Sequence, residues 1–351
     1  MPASAHPFGF DARRNGRPRL AAASPAALRR LLESWRGHHV AVIGDLILDH
    51  FLWGDATRIS PEAPVPVILL ENESYRLGGA ANVAANLRAL GARVSLFGVI
   101  GRDEAGARLR ALLAEQGIAH DGVLAVAGRP TTVKQRVLAQ NKHVLRIDRE
   151  LAGPIAAATA ARLAAALARA PVRAVVASDY GKGCLTAPLM RRVLSAARRH
   201  RWPICVDPKG SELHFRGATL LKPNLRELAF LAGRPIRDER ELAAAAEQVR
   251  RRHGCEHLLV TCGREGMRLF GAAGAFAIRS AAVDVADVTG AGDTVAAALT
   301  LALAAGAPPR HAALVANLAA GVVVAKPGTA VAGVAELLAR LPALGPRRPR
   351  A

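Results

Sequence analysis

Short apolar runs rich in Val and Ile alternate along the chain with longer segments of helical periodicity. The apolar runs predict buried strands at residues 38–44, 94–100, 174–179, 203–207 and 257–261. The longer segments predict helices at residues 77–90, 103–117, 154–170, 186–200, 225–233 and 238–254. Strands that are covered on both faces appear as continuous apolar runs, and helices between them return the chain to the same edge of the sheet. The alternation therefore predicts a doubly wound α/β domain with a mostly parallel sheet and helices on both faces.

Two segments interrupt this alternation. Residues 64–76 and 131–150 have strand-type patterning with no helix between their halves. They predict a small antiparallel sheet, drawn from about residues 52–76 and 120–150, that forms a lid on the α/β domain. Because the sequence contains no internal repeat and no long linker, we expect one domain, residues 38–338, with this lid.

The net charge of +20 raises nucleic acid as a partner. However, 8 of these net positive charges lie in residues 1–36 and 341–351, which are rich in Ala, Arg and Pro. Composition of this kind predicts disordered basic tails at residues 1–37 and 339–351. Aromatic residues make up only 4% of the chain, so the aromatic side chains that stack on bases in single-strand binders are scarce. We therefore expect no nucleic-acid partner, and the remaining positive charge fits a cleft for phosphorylated small molecules.

The chain contains no apolar run of the ~18 residues needed to span a bilayer, and residues 1–20 lack the apolar region of a secretory signal. It has four separate cysteines: Cys184, Cys205, Cys255 and Cys262. We expect a cytoplasmic protein with reduced thiols and no membrane contact. The string His253-Gly254-Cys255-Glu256-His257 contains metal-binding side-chain types. With no second ligand pair nearby, it indicates a helix-to-strand turn.

The most informative stretch is 287–293, Asp-Val-Thr-Gly-Ala-Gly-Asp, which precedes an uncharged, alanine-rich run. A helix start presents unpaired N–H groups, and glycines allow this backbone to approach a phosphate closely. A carboxylate at the same helix start, Asp293, would repel phosphate unless it accepts a proton from a hydroxyl. This combination is typical of phosphoryl transfer. The residues alone leave open that Asp293 caps the helix and that the glycines form only a turn.

Residues 287–293, together with the string Gly-Gly-Ala-Ala-Asn at 78–82, resemble the ribokinase-like (PfkB-type) carbohydrate kinases. Further strings resemble the D-glycero-β-D-manno-heptose 7-phosphate kinase group: residues 42–68, with RISPEAPVPV as the most specific part, and residues 178–183, 206–210, 220–227 and 322–329. The resemblance covers about residues 38–335. It implies ATP-dependent phosphorylation of the C1 hydroxyl of heptose 7-phosphate, giving the 1,7-bisphosphate for ADP-heptose and lipopolysaccharide core synthesis. In many bacteria this kinase is fused to a nucleotidyltransferase; since this sequence ends after the kinase, it resembles the stand-alone version.

The resemblance implies a role for each matching residue. Asp293 is the base that deprotonates the C1 hydroxyl, and Gly290, Ala291 and Gly292 form the anion hole for the transferred phosphoryl group. The residues implied to bind the sugar are Asp45, Asp49, Gly78, Gly79, Asn82 and Asp179. The candidates for binding its 7-phosphate are Lys134, Arg136, Arg146, Lys182 and Lys209. Asp49 has the alternative of being a solvated loop acid, and each of these cations that of an ordinary surface charge.

The nucleotide end is less specific. Asn224 and Glu227 match an Asn-x-x-Glu motif that supports Mg²⁺, with Glu227 acting through water; a helix-capping box is the alternative. The residues expected around adenine and ribose are Thr261, Gly263, Gly266 and Asn317, although Gly263 and Gly266 also fit a plain hairpin turn.

The implied ligands are thus ATP, Mg²⁺ and a sugar phosphate. A monovalent cation such as K⁺ is common in the family, and a homodimer formed through the lid is also implied. Three alternatives stay open: a kinase of another sugar such as ribose or fructose 1-phosphate, a catalytically silent sugar- or partner-binding homologue, and a basic nucleic-acid-binding protein.

Overall fold

The computed structural model describes residues 23–140, 142–209, 215–282, 284–326 and 328–341. The helices are α1 (Pro25–Glu33), α2 (Ala80–Ala89), α3 (Glu104–Glu115), α4 (Ala157–Ala168), α5 (Ala187–His200), α6 (Leu225–Ala232), α7 (Glu239–Arg252), α8 (Ala291–Ala304), α9 (Pro309–Val323) and α10 (Val334–Arg340). The strands are β1 (His39–Gly44), β2 (Leu46–Ile59), β3 (Pro66–Gly79), β4 (Arg93–Gly101), β5 (Ala119–Val126), β6 (Thr132–Ala139), β7 (Lys142–Arg149), β8 (Ala174–Ser178), β9 (Ile204–Asp207), β10 (Leu220–Leu221), β11 (His257–Thr261), β12 (Met267–Gly271) and β13 (Gly274–Ile278).

The large sheet has the strand order β13-β12-β11-β10-β9-β8-β1-β4-β5. All neighbours from β11 to β5 run parallel, whereas β12 and β13 are antiparallel additions at one edge. The predicted doubly wound α/β fold is confirmed. Because β1, β8 and β9 are adjacent and parallel, their carboxyl ends bring Gly44, Ser178 and Asp207 to the same edge of the sheet.

Helices cover both faces of this sheet and enclose two hydrophobic cores. One core contains side chains of α2, α8 and α9, and the other contains side chains of α4, α5 and α7. Helix α8 is buried continuously from Asp293 to Ala302, which accounts for its uncharged sequence. Despite this composition, no helix in the described ranges is both long enough and apolar enough to cross a membrane.

One predicted element has a different start. Residues 77–79, expected to begin a helix, complete strand β3 instead, and α2 begins at Ala80. Gly79 makes the change of direction with φ of +58°, and a Cβ there would lie only 2.5 Å from the backbone oxygen of Asp45. Only glycine combines this backbone conformation with this close approach.

A second sheet has the strand order β3-β2-β6-β7. Its outer pairs are antiparallel, as predicted, whereas its central pair β2–β6 is parallel because β6 enters from the large sheet and not from a hairpin. The predicted lid boundaries need correction. Residues 119–126 form β5, which pairs with β4 in the large sheet, and β2 begins already at Leu46. We call this sheet, residues 46–79 and 132–149, the lid sheet.

The prediction of a disordered tail at residues 1–37 is wrong for residues 25–37. Helix α1 begins with Pro25, after the N-cap Ser24, and is amphipathic. Its residues Leu28 and Leu32, and Trp35 after it, are buried in the core with α10. Residues 339–341 likewise belong to the domain, because α10 ends at Arg340 and Leu341 is buried. The remainder of the two predicted tails, residues 1–22 and 342–351, lies outside the described residues.

Replacing Trp35 by alanine is expected to destabilise the protein by about 3–5 kcal/mol, because this fully buried indole leaves a cavity that the core cannot fill. Urea unfolding measures the change in the free energy of unfolding. The control is Glu33→Ala, since Glu33 is exposed and its ion pair with Arg29, at 4.0 Å, is a surface pair of small effect. Equal stability of the two variants would mean that the N-terminal segment does not pack on the domain.

The string 253–257 forms the predicted turn, since α7 ends at Arg252 and β11 begins at His257. Cys255 is buried within it, and burial raises the pKa of its thiol to about 12. A thiol with such a pKa is protonated at neutral pH and acts as a small apolar side chain.

Candidate active site

A cleft of about 520 Å³ opens between the carboxyl edge of the large sheet and the lid sheet. Its walls come from β2, β3, β6 and β7 on the lid side, from the segments after β8, β9 and β10, and from the start of α8. Parallel α/β domains place their ligands at this edge of the sheet, so the position of the cleft is that of a ligand site.

Asp293 lies in this cleft and is buried. Its Oδ2 atom accepts a hydrogen bond of 2.6 Å from Nδ2 of Asn82, and its Oδ1 atom accepts one from the hydroxyl of Tyr180. Burial raises the pKa of Asp293, while these two donors and the ammonium groups of Lys222 and Lys209 oppose the rise.

Asp293 is not the cap of its helix. The N-cap of α8 is Gly290, with φ of +80°, and Asp293 is the third residue of the helix. Its carboxylate contacts side chains from α2 and from the segment after β8 instead of the amides of its own helix. The alternative that Asp293 is an ordinary N-cap is therefore wrong.

The predicted anion hole is the first turn of α8. Gly290 and Gly292 line the cleft, and Ala291 lies between them at the helix start. A Cβ on Gly290 would lie 3.0 Å from Nδ2 of Asn82, so the absence of a side chain permits the loop to approach α2. The amides of this turn are oriented to bind an anion, with the positive end of the helix dipole behind them.

A buried ion pair between Lys222 and Asp207, at 2.9 Å, lies beside this turn. Burial raises the pKa of Asp207 to about 6, although Lys222 opposes the rise. Burial alone would lower the pKa of Lys222, but Asp207 outweighs it and the pKa is raised, so the lysine is charged. The Nζ atom of Lys222 lies 3.7 Å from the position of a Cβ on Gly292, which puts a cation next to the anion hole.

Sequence reasoning did not assign Tyr180, Lys222 or Asp207 to the site. All three line the cleft, and all three occur in strings that carried the family resemblance, residues 178–183, 206–210 and 220–227. Their position at or within two residues of the carboxyl ends of the parallel strands β8, β9 and β10 is a signal that could have identified them.

Asp49, Gly78, Gly79 and Asn82, which were predicted to bind the sugar, line the same cleft as Asp293. A Cβ on Gly78 would lie 2.5 Å from Oδ2 of Asp49, so this glycine makes room for the carboxylate. Asp49 is buried and accepts a hydrogen bond of 2.6 Å from Arg136. The alternative of a solvated loop acid is wrong for Asp49.

Asp45 and Asp179 are not among the residues that line the cleft. The carboxylate of Asp45 is buried and accepts three backbone hydrogen bonds, of 2.8, 3.0 and 2.9 Å, from Tyr180, Lys182 and Cys184. Asp45 thus organises the loop after β8, and its role in holding sugar hydroxyls stays a prediction. Asp179 accepts from the amide of Gly181 at 2.9 Å, and a role in substrate binding stays a prediction.

All five cations considered for a substrate phosphate line the cleft: Lys134, Arg136, Arg146, Lys182 and Lys209. Each has a carboxylate partner within the protein. On the lid side, Lys134 and Arg146 share Asp148, at 3.0 and 2.9 Å, and Lys182 pairs with Glu150 at 2.7 Å. Lys209 is separate from this group, because its carboxylate partner is Glu227, at 3.5 Å.

Asn224 and Glu227 form a complete capping box at the start of α6. The Asn224 side chain accepts from the amide of Glu227 at 2.9 Å, and the Glu227 carboxylate accepts from the amide of Asn224 at 2.8 Å. Both residues also line the cleft, so capping the helix is compatible with a role in the site.

Of the residues expected around adenine and ribose, only Thr261 lines this cleft. Gly263 and Gly266 belong to the tight turn between β11 and β12, and a Cβ on Gly266 would lie 2.1 Å from the backbone oxygen of Ile278. Asn317 of α9 donates a hydrogen bond of 2.8 Å to the backbone oxygen of Arg279. Their role in nucleotide binding stays a prediction.

Comparison with protein families gives one match that covers most of the chain. A family model described as pfkB family carbohydrate kinase matches residues 38–334. Among curated proteins, the chain is 44% identical over 306 residues to the bifunctional protein HldE of Desulfatibacillum aliphaticivorans, covering 86% of this chain and 63% of that protein. It is 45% identical over 304 residues to the bifunctional protein HldE of Citrifermentans bemidjiense, covering 86% and 62%. The chain thus spans less than two thirds of the length of these relatives.

Solved structures with the same fold have low sequence identity to this chain. Arabidopsis thaliana ribokinase complexed with ribose and ATP superposes with a TM-score of 0.70 and 20% identity, covering 87% of this chain and 99% of that chain. Escherichia coli phosphofructokinase-2 in complex with potassium superposes with a TM-score of 0.73 and 19% identity, covering 88% and 99%. These similarities show that the chain has the same fold as these kinases.

Proposed function

Because the chain belongs to the pfkB family of carbohydrate kinases, we propose that it transfers the γ-phosphoryl group of ATP to the C1 hydroxyl of D-glycero-β-D-manno-heptose 7-phosphate. The product is the 1,7-bisphosphate, a precursor for ADP-heptose and lipopolysaccharide core synthesis. The observation that carries the proposal is the buried Asp293 at the start of α8, in a cleft whose lid side holds a group of cations.

Two lines of reasoning support heptose 7-phosphate as the acceptor. The first is the resemblance of residues 42–68, and of the segments after β8, β9 and β10, to the heptose 7-phosphate kinase group. The second is the identity of 44–45% to the bifunctional HldE proteins over most of this chain. Four cations of the cleft also fit an acceptor that already carries a phosphate: Lys134, Arg136, Arg146 and Lys182.

The chemistry follows from the positions of the side chains. The carboxylate of Asp293 accepts the proton of the acceptor hydroxyl as the hydroxyl oxygen attacks the γ-phosphorus. The amides of the first turn of α8 and the ammonium group of Lys222 stabilise the negative charge on the phosphoryl oxygens in the transition state. Asp49 and the backbone at Gly78 and Gly79 orient the sugar, since they line the same cleft as Asp293.

The oxygen donors of the cleft fit Mg²⁺, a hard cation that binds carboxylates together with phosphate oxygens. Asp207 and Glu227 are the candidate carboxylates on the nucleotide side, and Glu227 already uses Oε2 to cap α6. When bound, Mg²⁺ supplies charge neutralisation for the nucleotide phosphates. A monovalent cation is also part of the proposal, supported by the potassium complex of the phosphofructokinase-2 neighbour.

A homodimer formed through the lid sheet is proposed on the basis of its exposed apolar side chains. On this sheet Ile59 is 64% exposed, Leu69 69% and Leu145 55%. Exposed apolar side chains of this kind favour burial against a second copy of the chain. Light scattering of the purified protein measures the mass, and a mass of a single chain would contradict this part of the proposal.

The proposed acceptor is tested by measuring ADP release with a panel of heptose 7-phosphate, fructose 1-phosphate, free heptose and ribose. The highest kcat/KM is expected for heptose 7-phosphate, and ³¹P NMR of the product should show a new phosphate at C1. A preference for ribose or fructose 1-phosphate would assign the protein to a kinase of another sugar. ADP release with none of the four sugars would favour a silent sugar-binding homologue.

A further inference from the structure

Both carboxylate oxygens of Asp293 already have a hydrogen-bond donor. Nδ2 of Asn82 donates to Oδ2 at 2.6 Å, and the phenol of Tyr180 donates to Oδ1. The proposed function uses the carboxylate as a base, and a base with two donors differs from an exposed carboxylate in its orientation and in its affinity for a proton. The two donors therefore affect the reaction even where they do not touch the sugar.

The phenol of Tyr180 is held in place from two sides. The amide of Tyr180 donates a hydrogen bond of 2.8 Å to Oδ2 of Asp45, the buried carboxylate that also binds the amides of Lys182 and Cys184. The ammonium group of Lys209 lies 4.8 Å from the centre of the tyrosine ring. Because backbone and ring are both restrained, the hydroxyl is preorganised toward Asp293.

The amide of Asn82 is oriented by a buried chain between α2 and α8. The backbone oxygen of Asn82 can only accept, so the NH₂ group of Asn86 faces it and donates at 2.9 Å, which leaves Oδ1 of Asn86 to accept from the hydroxyl of Thr294 at 2.7 Å. Oδ1 of Asn82 lies 3.4 Å from the same NH₂ group, which leaves the NH₂ group of Asn82 for Asp293. The direction of the donors is thus determined at each step.

We propose that Tyr180 is a positioning residue for phosphoryl transfer: its phenol holds the carboxylate of Asp293 ionised in a buried site and directs a remaining lone pair of this carboxylate toward the acceptor hydroxyl. The inference rests on the proposed function. In the step it serves, the acceptor O–H proton passes to Asp293, the bond from that oxygen to the γ-phosphorus forms, and the bond from phosphorus to the ADP oxygen breaks. Tyr180 keeps its own proton throughout.

The charges around Asp293 show why a neutral donor matters. Lys222 and Lys209 favour the ionised carboxylate, whereas Asp207 and Asp49 add negative charge in the same cleft. Burial disfavours ionisation, so hydrogen bonds to the charged form are needed to keep the base active at neutral pH. Burial also raises the pKa of Tyr180 well above its usual value, so the phenol remains a donor at any pH at which the enzyme is measured.

The test is Tyr180→Phe, which removes the hydroxyl and retains the ring and the backbone amide. Loss of one hydrogen bond to a charged group is expected to move the acidic limb of the kcat/KM–pH profile to higher pH by about one unit or more. The direction follows because Asp293 must be deprotonated to act, and losing a donor raises its pKa. The matched control is Tyr75→Phe, since Tyr75 is the only other tyrosine of the chain and its hydroxyl contacts Glu73 on the lid sheet.

A second measurement covers the case in which Tyr180→Phe does not fold. In the Tyr75→Phe background, biosynthetic 3-fluorotyrosine labels position 180 alone. Fluorine lowers the pKa of the phenol and makes it a stronger donor, so the acidic limb should move to lower pH, opposite to the effect of phenylalanine. The inference would be overturned if the midpoint of the acidic limb in both proteins stays within about 0.2 pH units of the wild-type midpoint. It would also be overturned if Tyr180→Phe turns over faster than the wild-type protein and the midpoint is unchanged.

The profile is measured with whichever sugar the wild-type protein phosphorylates best, so a different sugar specificity does not affect this test. If the wild-type protein phosphorylates no sugar, the proposed function fails. The pKa of Asp293 is then measured by infrared titration of its carboxyl band, which is identified by its absence in Asp293→Asn. A pKa of Asp293 that does not rise in Tyr180→Phe overturns the inference independently of activity.

Discussion

Asp293→Asn is expected to lower kcat by about 10²–10⁴-fold while ATP binding stays nearly unchanged. Asparagine retains the size of the side chain and can accept hydrogen bonds through its oxygen, but it cannot take a proton at neutral pH. The effect is expected to be large because Asp293 is buried and its two oxygens contact Tyr180 and Asn82, neither of which can accept the proton in its place. Steady-state kinetics give kcat, and calorimetry gives the affinity for ATP.

The control is Asp284→Asn, an identical change at an exposed acid a few residues before the anion hole. This variant is expected to have the kcat of the wild-type protein. A kcat of Asp293→Asn within about threefold of wild type would contradict the role of Asp293 as the base, because loss of general-base help alone has a much larger effect.

The wild-type protein is expected to prefer a phosphorylated sugar over its unphosphorylated form by roughly a hundredfold or more in kcat/KM. Each charge-assisted hydrogen bond lost with the phosphate costs on the order of 1.5–3 kcal/mol, and two such contacts account for the factor. The double variant Lys134→Met, Arg146→Met should remove most of this preference. These two residues are chosen because they share Asp148, which is partly exposed, whereas loss of Arg136 would leave the buried Asp49 unpaired.

The control is Lys142→Met, on strand β7 of the lid sheet, since Lys142 is exposed and is not among the residues that line the cleft. ADP release measures kcat/KM for heptose 7-phosphate and for free heptose. Equal use of the two sugars by the wild-type protein would contradict the heptose 7-phosphate assignment while leaving the kinase assignment intact. A preference that survives in the double variant would place the phosphate on Arg136 and Lys182 instead.

The carboxylates that pair with Lys134, Arg146 and Lys182 reduce the affinity that these cations can provide for a substrate phosphate. Asp148 and Glu150 form ion pairs with Lys134, Arg146 and Lys182 in the protein without ligand. A substrate phosphate must replace these partners, so the gain in affinity is the difference between two ion pairs and is smaller than that of a phosphate meeting unpaired cations.

The sequence by itself determined the fold class and predicted the centre of the candidate site, because both depend on local patterns. Continuous apolar runs such as β1 identify buried parallel strands wherever they lie in space, and helical periodicity identifies the segments between them. The stretch 287–293 is likewise local: glycines at a helix start and a carboxylate three residues into the helix are adjacent in the chain. Helix α1 also has a local pattern, but its abundant arginines suggested a tail, and only the contact of Trp35 with the core corrected this.

Only the tertiary structure decided which side chain meets which across the cleft. Tyr180 and Asn82, the two donors to Asp293, lie 113 and 211 residues away from it in sequence, and no periodicity relates such distant positions. The same holds for Asp45, whose carboxylate accepts hydrogen bonds from backbone amides 135–139 residues further along the chain. The physical reason is that hydrophobic patterning reports whether a position is buried, whereas the partner of a buried polar group depends on strand order and helix packing, which bring distant segments together.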